Sequence, residues 1–282
     1  MSEFREHRFL SQDGLSLYYR EYGDPMSPAT PLLCLPGLTR NSRDFHALAS
    51  RLAPTRRILC PDYRGRGRSE YAEGPASYHP MAHLNDIRHL AAIADLDRMI
   101  VIGTSFGGFL AMGMALIMPS SLVAVVLNDV GPKVAPGGLK RIMDYVGKDR
   151  PQPDWASAGA ELKRMFPHLP PQTDEEWRAA ARMTWREGPD GMLHFDWDTR
   201  LAGTIGKASG AVDPWSLFRG LSKIPVLALR GSLSDVLTPD IFARMQAENP
   251  NLIAVTVAGS GHPPSLSEPE AMESIDEFLA YR

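Results

Sequence analysis

The sequence predicts an α/β protein: a mostly parallel, eight-stranded sheet with helices on both faces and a helical segment inserted late in the chain. Three observations carry that expectation. Short apolar, β-branched runs alternate with stretches whose apolar residues recur at helical spacing, which calls for a parallel sheet buried on both sides. The run Met99-Ile100-Val101-Ile102 passes through the tight turn Gly103-Thr104-Ser105-Phe106-Gly107 into the uncharged run Phe109 to Met118, a buried strand followed by a buried helix. The alternation then stops between Pro132 and about Pro214, with no convincing strand, and resumes with Ile224 to Arg230.

The elements follow in order. Phe4 to Ser11 and Leu15 to Tyr22 read as a hairpin with its turn at Gln12-Asp13-Gly14. Pro31 to Leu35 is a third strand and Arg57 to Cys60 a fourth. Between them Asn41-Ser42-Arg43-Asp44 approximates a capping box, opening a helix that buries Phe45, Leu48 and Leu52. Leu84, Ile87, Leu90, Ala91 and Ala94 share one helical face, so a helix covers about residues 80–95. The strands Val123 to Leu127, Ile224 to Arg230 and Leu252 to Val257 complete the sheet. The last helix starts at Ser267-Glu268-Pro269-Glu270, with a serine cap and proline in the first turn, and buries Met272, Ile275, Phe278 and Leu279.

The turn at Ser105 carries the chemistry. A G-x-S-x-G sequence between a buried strand and a helix holds its serine in a strained conformation and lifts the hydroxyl clear of the sheet. Gly103 and Gly107 let the chains crowd together there. A nucleophilic serine needs a base and a group that orients the base, and hydrolases with this turn place them in the order Ser, Asp or Glu, His. Asp235 follows the strand at 224–230 and His262 follows the strand at 252–257, both just past carboxyl ends, where open α/β sheets place ligands. Pro263 biases His262 away from the helical region. Asp235 is the expected orienting acid, and Asp129, after the strand Val123 to Leu127, is the alternative.

These residues resemble the α/β-hydrolase superfamily, over nearly the whole chain. Leu32-Leu33-Cys34-Leu35-Pro36-Gly37-Leu38 is similar to that family's strand and oxyanion loop, with Pro36-Gly37 where His-Gly is usual. Asp62-Tyr63-Arg64-Gly65-Arg66-Gly67-Arg68-Ser69 is similar to its D-x-R-G-x-G-x-S turn. The resemblance implies the serine-nucleophile branch of the α/β-hydrolase fold. Its core would be residues 1–131 and 215–282, with 132–214 a helical cap over the site. It implies oxyanion donors in the backbone N–H groups of Leu38 and Phe106, and requires no metal or cofactor.

All five tryptophans, Trp155, Trp177, Trp185, Trp197 and Trp215, fall in the inserted segment or at its edge, with Met143, Met165, Phe166, Met183, Met192 and Phe195. They serve either as an apolar roof over substrate or as the core a small helical unit needs. Trp155, Phe166, Trp185 and Trp197 are the candidates for substrate contact. The activity implied is hydrolysis of a carboxylic ester or lactone with a small to medium apolar group. The alternatives are a carbon–carbon bond hydrolase of meta-cleavage products, whose members tend to carry Asn and Trp where Thr104 and Pro263 stand, and a non-enzymatic small-molecule receptor.

Composition bounds the partners. Among 282 residues, 30 Lys plus Arg against 33 Asp plus Glu give a formal charge of −3, which does not point to nucleic acid. Arg64, Arg66 and Arg68 read as turn and packing residues. Met99 to Met118 is uncharged but interrupted by Gly103, Thr104, Ser105, Gly107 and Gly108, so it reads as strand plus helix and not as a membrane span. The N-terminus is charged where a signal peptide would be apolar, and Cys34 and Cys60 read as buried thiols. A cytoplasmic protein with a small-molecule substrate and no membrane partner is expected; the oligomeric state stays open. His79 and His83 have the spacing of two ligands on one helix face, but nothing nearby completes a metal set. His7, His46, His89, His168 and His194 show no ligand grouping and read as surface or packing residues.

Overall fold

Successive residues of a strand point to opposite faces, and in the central strands of this chain both sets are apolar. A computed structural model, described for residues 3–166, 169, 173–205 and 213–282, turns that pattern into a sheet packed on both sides. The strands are β1 (Arg5–Leu10), β2 (Ser16–Tyr22), β3 (Leu32–Leu35), β4 (Ile58–Asp62), β5 (Met99–Thr104), β6 (Leu122–Asn128), β7 (Trp185–Glu187), β8 (Leu193–Phe195), β9 (Val226–Gly231) and β10 (Ile253–Val257). Eight form one sheet in the order β1-β2-β4-β3-β5-β6-β9-β10. The β1–β2 and β2–β4 pairs are antiparallel, and every pair from β4 to β10 is parallel. The carboxyl ends of β3, β4, β5, β6, β9 and β10 therefore lie along one edge, and the site is built there.

The helices are α1 (His46–Leu52), α2 (Pro80–Ile93), α3 (Phe106–Ile117), α4 (Pro136–Val146), α5 (Trp155–Met165), α6 (Asp174–Arg182), α7 (Pro214–Arg219), α8 (Pro239–Glu248) and α9 (Pro269–Ala280). Met99 and Val101 of β5 pack with Leu110 and Met114 of α3, Ile87 of α2, Phe218 of α7 and Met245 of α8. Ile100 and Ile102 of the same strand face the other way, toward Leu48 of α1 and Ile275 and Phe278 of α9. Cys34 and Cys60 are buried free thiols on neighbouring strands. No described helix is long and apolar enough to cross a membrane.

Between β6 and β9 the chain leaves the sheet. A third apolar cluster gathers there around Trp177, Trp185, Leu193, Phe195 and Trp197. The short antiparallel pair β7–β8 within it corrects the expectation that this segment holds no strand. Three residues per strand are too few for a periodic signal to show. Trp215 departs from the other tryptophans: it packs in the sheet-face core, with the Arg244 guanidinium 3.8 Å from its ring centroid. The last helix is also corrected at its start. Its N-cap is Glu268, not Ser267, and Ala271 takes the buried place expected of Met272, which is only partly buried.

Candidate active site

Three loops at the carboxyl edge of the sheet converge on one point. Ser105 follows β5 with φ 51° and ψ −113°, a left-handed conformation that non-glycine residues rarely adopt. The tight turn is possible because its flanking residues lack side chains. A Cβ on Gly103 would sit 2.5 Å from the Gly108 nitrogen, and one on Gly107 would sit 2.0 Å from the Leu35 carbonyl oxygen. The Ser105 N–H donates to the Asn128 carbonyl at 3.0 Å, tying the turn to the end of β6.

His262, in the loop after β10, joins the other two. Its Nε2 lies 3.0 Å from Ser105 Oγ, and its Nδ1 lies 2.7 Å from Asp129 Oδ2. A carboxylate only accepts, so Nδ1 carries the proton and Nε2 accepts from the serine hydroxyl. Asp129 is fully buried, yet its carboxylate is satisfied. It accepts from the Gly231 N–H at 2.9 Å and the Ser234 hydroxyl at 2.6 Å as well as from the imidazole. Asn128 Nδ2 donates to the Pro264 carbonyl at 3.0 Å and steadies the histidine loop. A hydroxyl, an imidazole and a buried carboxylate in series can draw a proton off the hydroxyl and stabilise the imidazolium that results.

Asp235 is not the group beside the imidazole. The expectation is corrected by geometry: Oδ2 and Oδ1 of Asp235 each accept from Arg141 of α4, at Nε and Nη2, both at 2.7 Å. That guanidinium holds the Asp235 carboxyl below the ordinary carboxylate range. The physical reason lies in strand order. β6 lies directly beside β5 in the sheet, so the residue just past β6 is carried next to the Ser105 turn. β9 lies one strand further out, and Asp235 sits well past its end. Asp129 immediately follows a buried strand and satisfies the chain order as Asp235 does.

Of the two residues expected to meet an oxyanion, Phe106 follows Ser105 directly and Leu38 lines the cavity over Ser105. Phe106 is the first residue of α3, where a backbone N–H has no intrahelical acceptor. Leu38 lies in the loop after β3, and its carbonyl accepts from Arg66 Nε at 2.8 Å. Arg66 is fully buried, with its Nη1 donating to the Arg64 carbonyl at 2.7 Å and its guanidinium about the rings of Tyr63, Tyr78 and Phe106. Burial pushes it down to about 10. Arg64 and Arg66 are buried in the turn, whereas Arg68 is half exposed and pairs with Glu6. Arg64 bridges Asp86 and Asp13, while Asp62 accepts from the Ser42 and Arg68 N–H groups and braces the turn.

Above Ser105 and His262 lies a cavity of ≈ 470 Å³. From the inserted segment Ile142, Tyr145, Leu162, Phe166, Met183 and Trp197 line it, with Arg40 and Arg141 among its polar groups. Of the four aromatic candidates, Phe166 and Trp197 reach the cavity, whereas Trp155 and Trp185 do not line it. Trp185 is fully buried against Phe195, its Nε1 donating to the Arg150 carbonyl at 3.2 Å, and Trp155 lies under the Arg182 guanidinium at 4.3 Å. Each spends its ring on holding the segment together. Tyr145, Arg40 and Arg141 had no sequence signal, since nothing local distinguishes a cavity-facing arginine from a surface one.

Asp196, just past β8, joins this segment to the core. It accepts from Asn41 Nδ2 at 3.2 Å and pairs with Arg43, and burial pushes its carboxyl up to about 6. Among the described residues no group of three or more His, Cys, Asp or Glu could hold a metal. His79 accepts from the Met81 N–H at the start of α2, and buried His83 packs on Tyr63 and Phe106, its pKa held well below the ordinary histidine value by burial. His194 bonds Asp149 and Asp190, and His168 lies outside the described residues.

This fold, with a serine-histidine-aspartate chain at its carboxyl edge, has clear relatives. Residues 32–275 match the alpha/beta hydrolase family, and the chain belongs to that family. It is 34% identical over 282 residues to the 3-hydroxybutyrate-oligomer hydrolase of Cupriavidus necator, covering 96% of this chain and 95% of that protein. Against the crystal structure of an alpha/beta hydrolase from Novosphingobium aromaticivorans the identity is 41% and the TM-score 0.93, with 100% of each chain covered. The 2-(acetamidomethylene)succinate hydrolase of Mesorhizobium japonicum is 24% identical over 250 residues, 88% of this chain and 87% of that one.

Proposed function

We propose that this protein is a serine esterase that cleaves short carboxylic esters, with oligomers of hydroxyalkanoic acids as the leading substrate class. One observation carries the reading: Ser105 Oγ, His262 and buried Asp129 form a continuous hydrogen-bonded chain at the floor of a mostly apolar cavity. The relative named for 3-hydroxybutyrate oligomers, aligned over 96% of this chain, favours an ester built from small hydroxyacids.

In this mechanism His262 Nε2 takes the Ser105 proton as Oγ attacks the ester carbonyl. Asp129 fixes the imidazole tautomer and stabilises the imidazolium; this role passes to it from Asp235. The N–H groups of Leu38 and Phe106 hold the oxyanion, and losing one such donor typically costs about 2.7–4 kcal/mol of barrier. The imidazolium protonates the departing alcohol, leaving an acyl-Ser105. A water activated by His262 then releases the acid. Residues 132–214 act as a cap domain whose Phe166 and Trp197 contact the apolar part of the substrate.

The test is direct. Wild-type protein should hydrolyse p-nitrophenyl butyrate and label with a fluorophosphonate at Ser105, and Ser105→Ala should do neither while keeping its circular dichroism. Unchanged turnover by the alanine variant would reject the reading.

A further inference from the structure

Arg141 is one of the charged groups of the cavity wall that the ester chemistry does not use. It stands on α4 with a guanidinium anchored on one edge only: Nε and Nη2 donate to the two oxygens of Asp235, both at 2.7 Å. Nη1 donates to no protein acceptor among the described residues, and the side chain keeps 28% of its surface exposed. The anchor itself is rigid. α4 packs so closely on the loop after β9 that a Cβ on Gly138 would meet the Asp235 carbonyl oxygen at 2.6 Å, and the Ala135 N–H donates to the Val236 carbonyl at 3.0 Å. The ring of Phe166 lies 5.6 Å from the guanidinium carbon and restricts it further.

A guanidinium has two carboxylate-sized edges, and this molecule displays both in use elsewhere. Arg64 holds Asp86 through Nε and Nη2 and holds Asp13 through Nη1 and Nη2, at distances of 2.6–2.9 Å. Arg141 holds Asp235 through the same Nε and Nη2 edge that Arg64 gives to Asp86. Its second edge is the one Arg64 fills with Asp13. At Arg141 no described protein group fills that edge, and Arg141 lines the cavity that also holds Ser105 and His262.

We propose that the open Nη1 edge of Arg141 binds a carboxylate of the substrate, so the preferred ester carries a free carboxylate on its alcohol portion. The inference rests on the esterase reading and narrows it. In a linear hydroxyacid oligomer the free carboxylate belongs to the residue whose hydroxyl is esterified. Cleaving the acyl C–O bond next to Arg141 therefore releases a terminal hydroxyacid with its carboxylate on the arginine. Asp235, expected at first to serve the histidine, is a positioning residue for Arg141.

The experiment compares the dimer of 3-hydroxybutyrate as the free acid with its methyl ester. The wild-type protein should show kcat/KM at least tenfold higher for the free acid, expressed mostly in KM. Arg141→Gln should bring that ratio to about one, and Arg141→Lys should recover part of it. Equal kcat/KM for the two dimers in the wild type, or an unaltered preference in Arg141→Gln, would overturn the subsite. A second readout needs no variant: free 3-hydroxybutyrate should inhibit p-nitrophenyl butyrate turnover at concentrations at least fivefold lower than 3-hydroxybutyramide, and equal inhibition would overturn the proposal. Fluorophosphonate labelling keeps the two readings apart. A protein that labels and turns over p-nitrophenyl butyrate but ignores the carboxylate loses only the subsite, whereas one that neither labels nor turns over loses the esterase reading.

Discussion

Asp129 Oδ2 lies 2.7 Å from His262 Nδ1 at a position with no exposure to solvent. The same carboxylate also accepts from the Gly231 N–H and the Ser234 hydroxyl, so its charge is held in place before any substrate arrives. Replacing it with asparagine leaves the shape and allows the wrong imidazole tautomer. Asp129→Asn should lower kcat by about 10⁴-fold, the scale set when the acid of such a triad is amidated. Asp235→Asn should lower kcat on a neutral ester by less than about tenfold, because its carboxylate serves Arg141. Steady-state kinetics on p-nitrophenyl butyrate separate them, and the reverse ranking would return the orienting role to Asp235.

Arg66 is a buried cation that donates to two backbone carbonyls, one of them that of Leu38, with His83 Nε2 3.4 Å from its Nη1. A lysine keeps the charge but lacks the fork, so it cannot hold both carbonyls in plane. Arg66→Lys should therefore reduce kcat more than it raises KM, since a loosened Leu38 loop would blunt oxyanion binding and leave the cavity walls intact. The check is a full saturation curve beside an unfolding midpoint; a pure KM effect would count against a role in the oxyanion loop.

The aromatic residues of the inserted segment should divide by burial and not by type. Trp185 is fully enclosed, so Trp185→Ala should cost about 3–5 kcal/mol of stability, as large-to-small core changes do. Trp155→Ala should cost less than about 2 kcal/mol, because that ring is only partly covered. Phe166→Ala, at the cavity, should instead raise KM for longer acyl chains. Urea unfolding and an acyl-length series measure these effects separately.

Asp196 links stability to pH. Burial raises its carboxyl to about 6 in the folded protein, with Asp62 nearby adding repulsion and Arg43 opposing it. A raised carboxyl binds its proton more tightly in the folded state than in the unfolded chain. Its contribution is therefore most favourable below the ordinary aspartate value and is lost as pH rises through about 6, at up to roughly 1.4 kcal/mol per unit. Asp196→Asn should flatten the stability profile between about pH 4 and 6.5. Urea midpoints across that range decide it, and an identical slope in both proteins would refute the assignment.

Much of the site was legible in one dimension because its signals are local. The Ser105 turn needs glycine two residues to either side, and the loop of His262 is marked by a strand before it and proline after it; both patterns lie within a few residues. The paired clusters on the two sheet faces follow from period-two alternation in β3, β5, β6 and β9. Such features depend on backbone sterics and on which face of an element is apolar, and the chain carries both in its letters.

Tertiary structure alone decided which acidic residue meets the imidazole and which rings face the cavity. Asp129 and Asp235 both sit in loops beyond carboxyl ends, and the sheet order, with β6 beside β5, picks between them. Trp155, Trp185 and Trp197 share a residue type and a segment, yet only Trp197 of the three lines the cavity. Arg141 meets Asp235 at the cavity wall only because α4 lies against the loop after β9. Contacts between groups far apart in the chain depend on how elements pack, and no short stretch of residues encodes that packing.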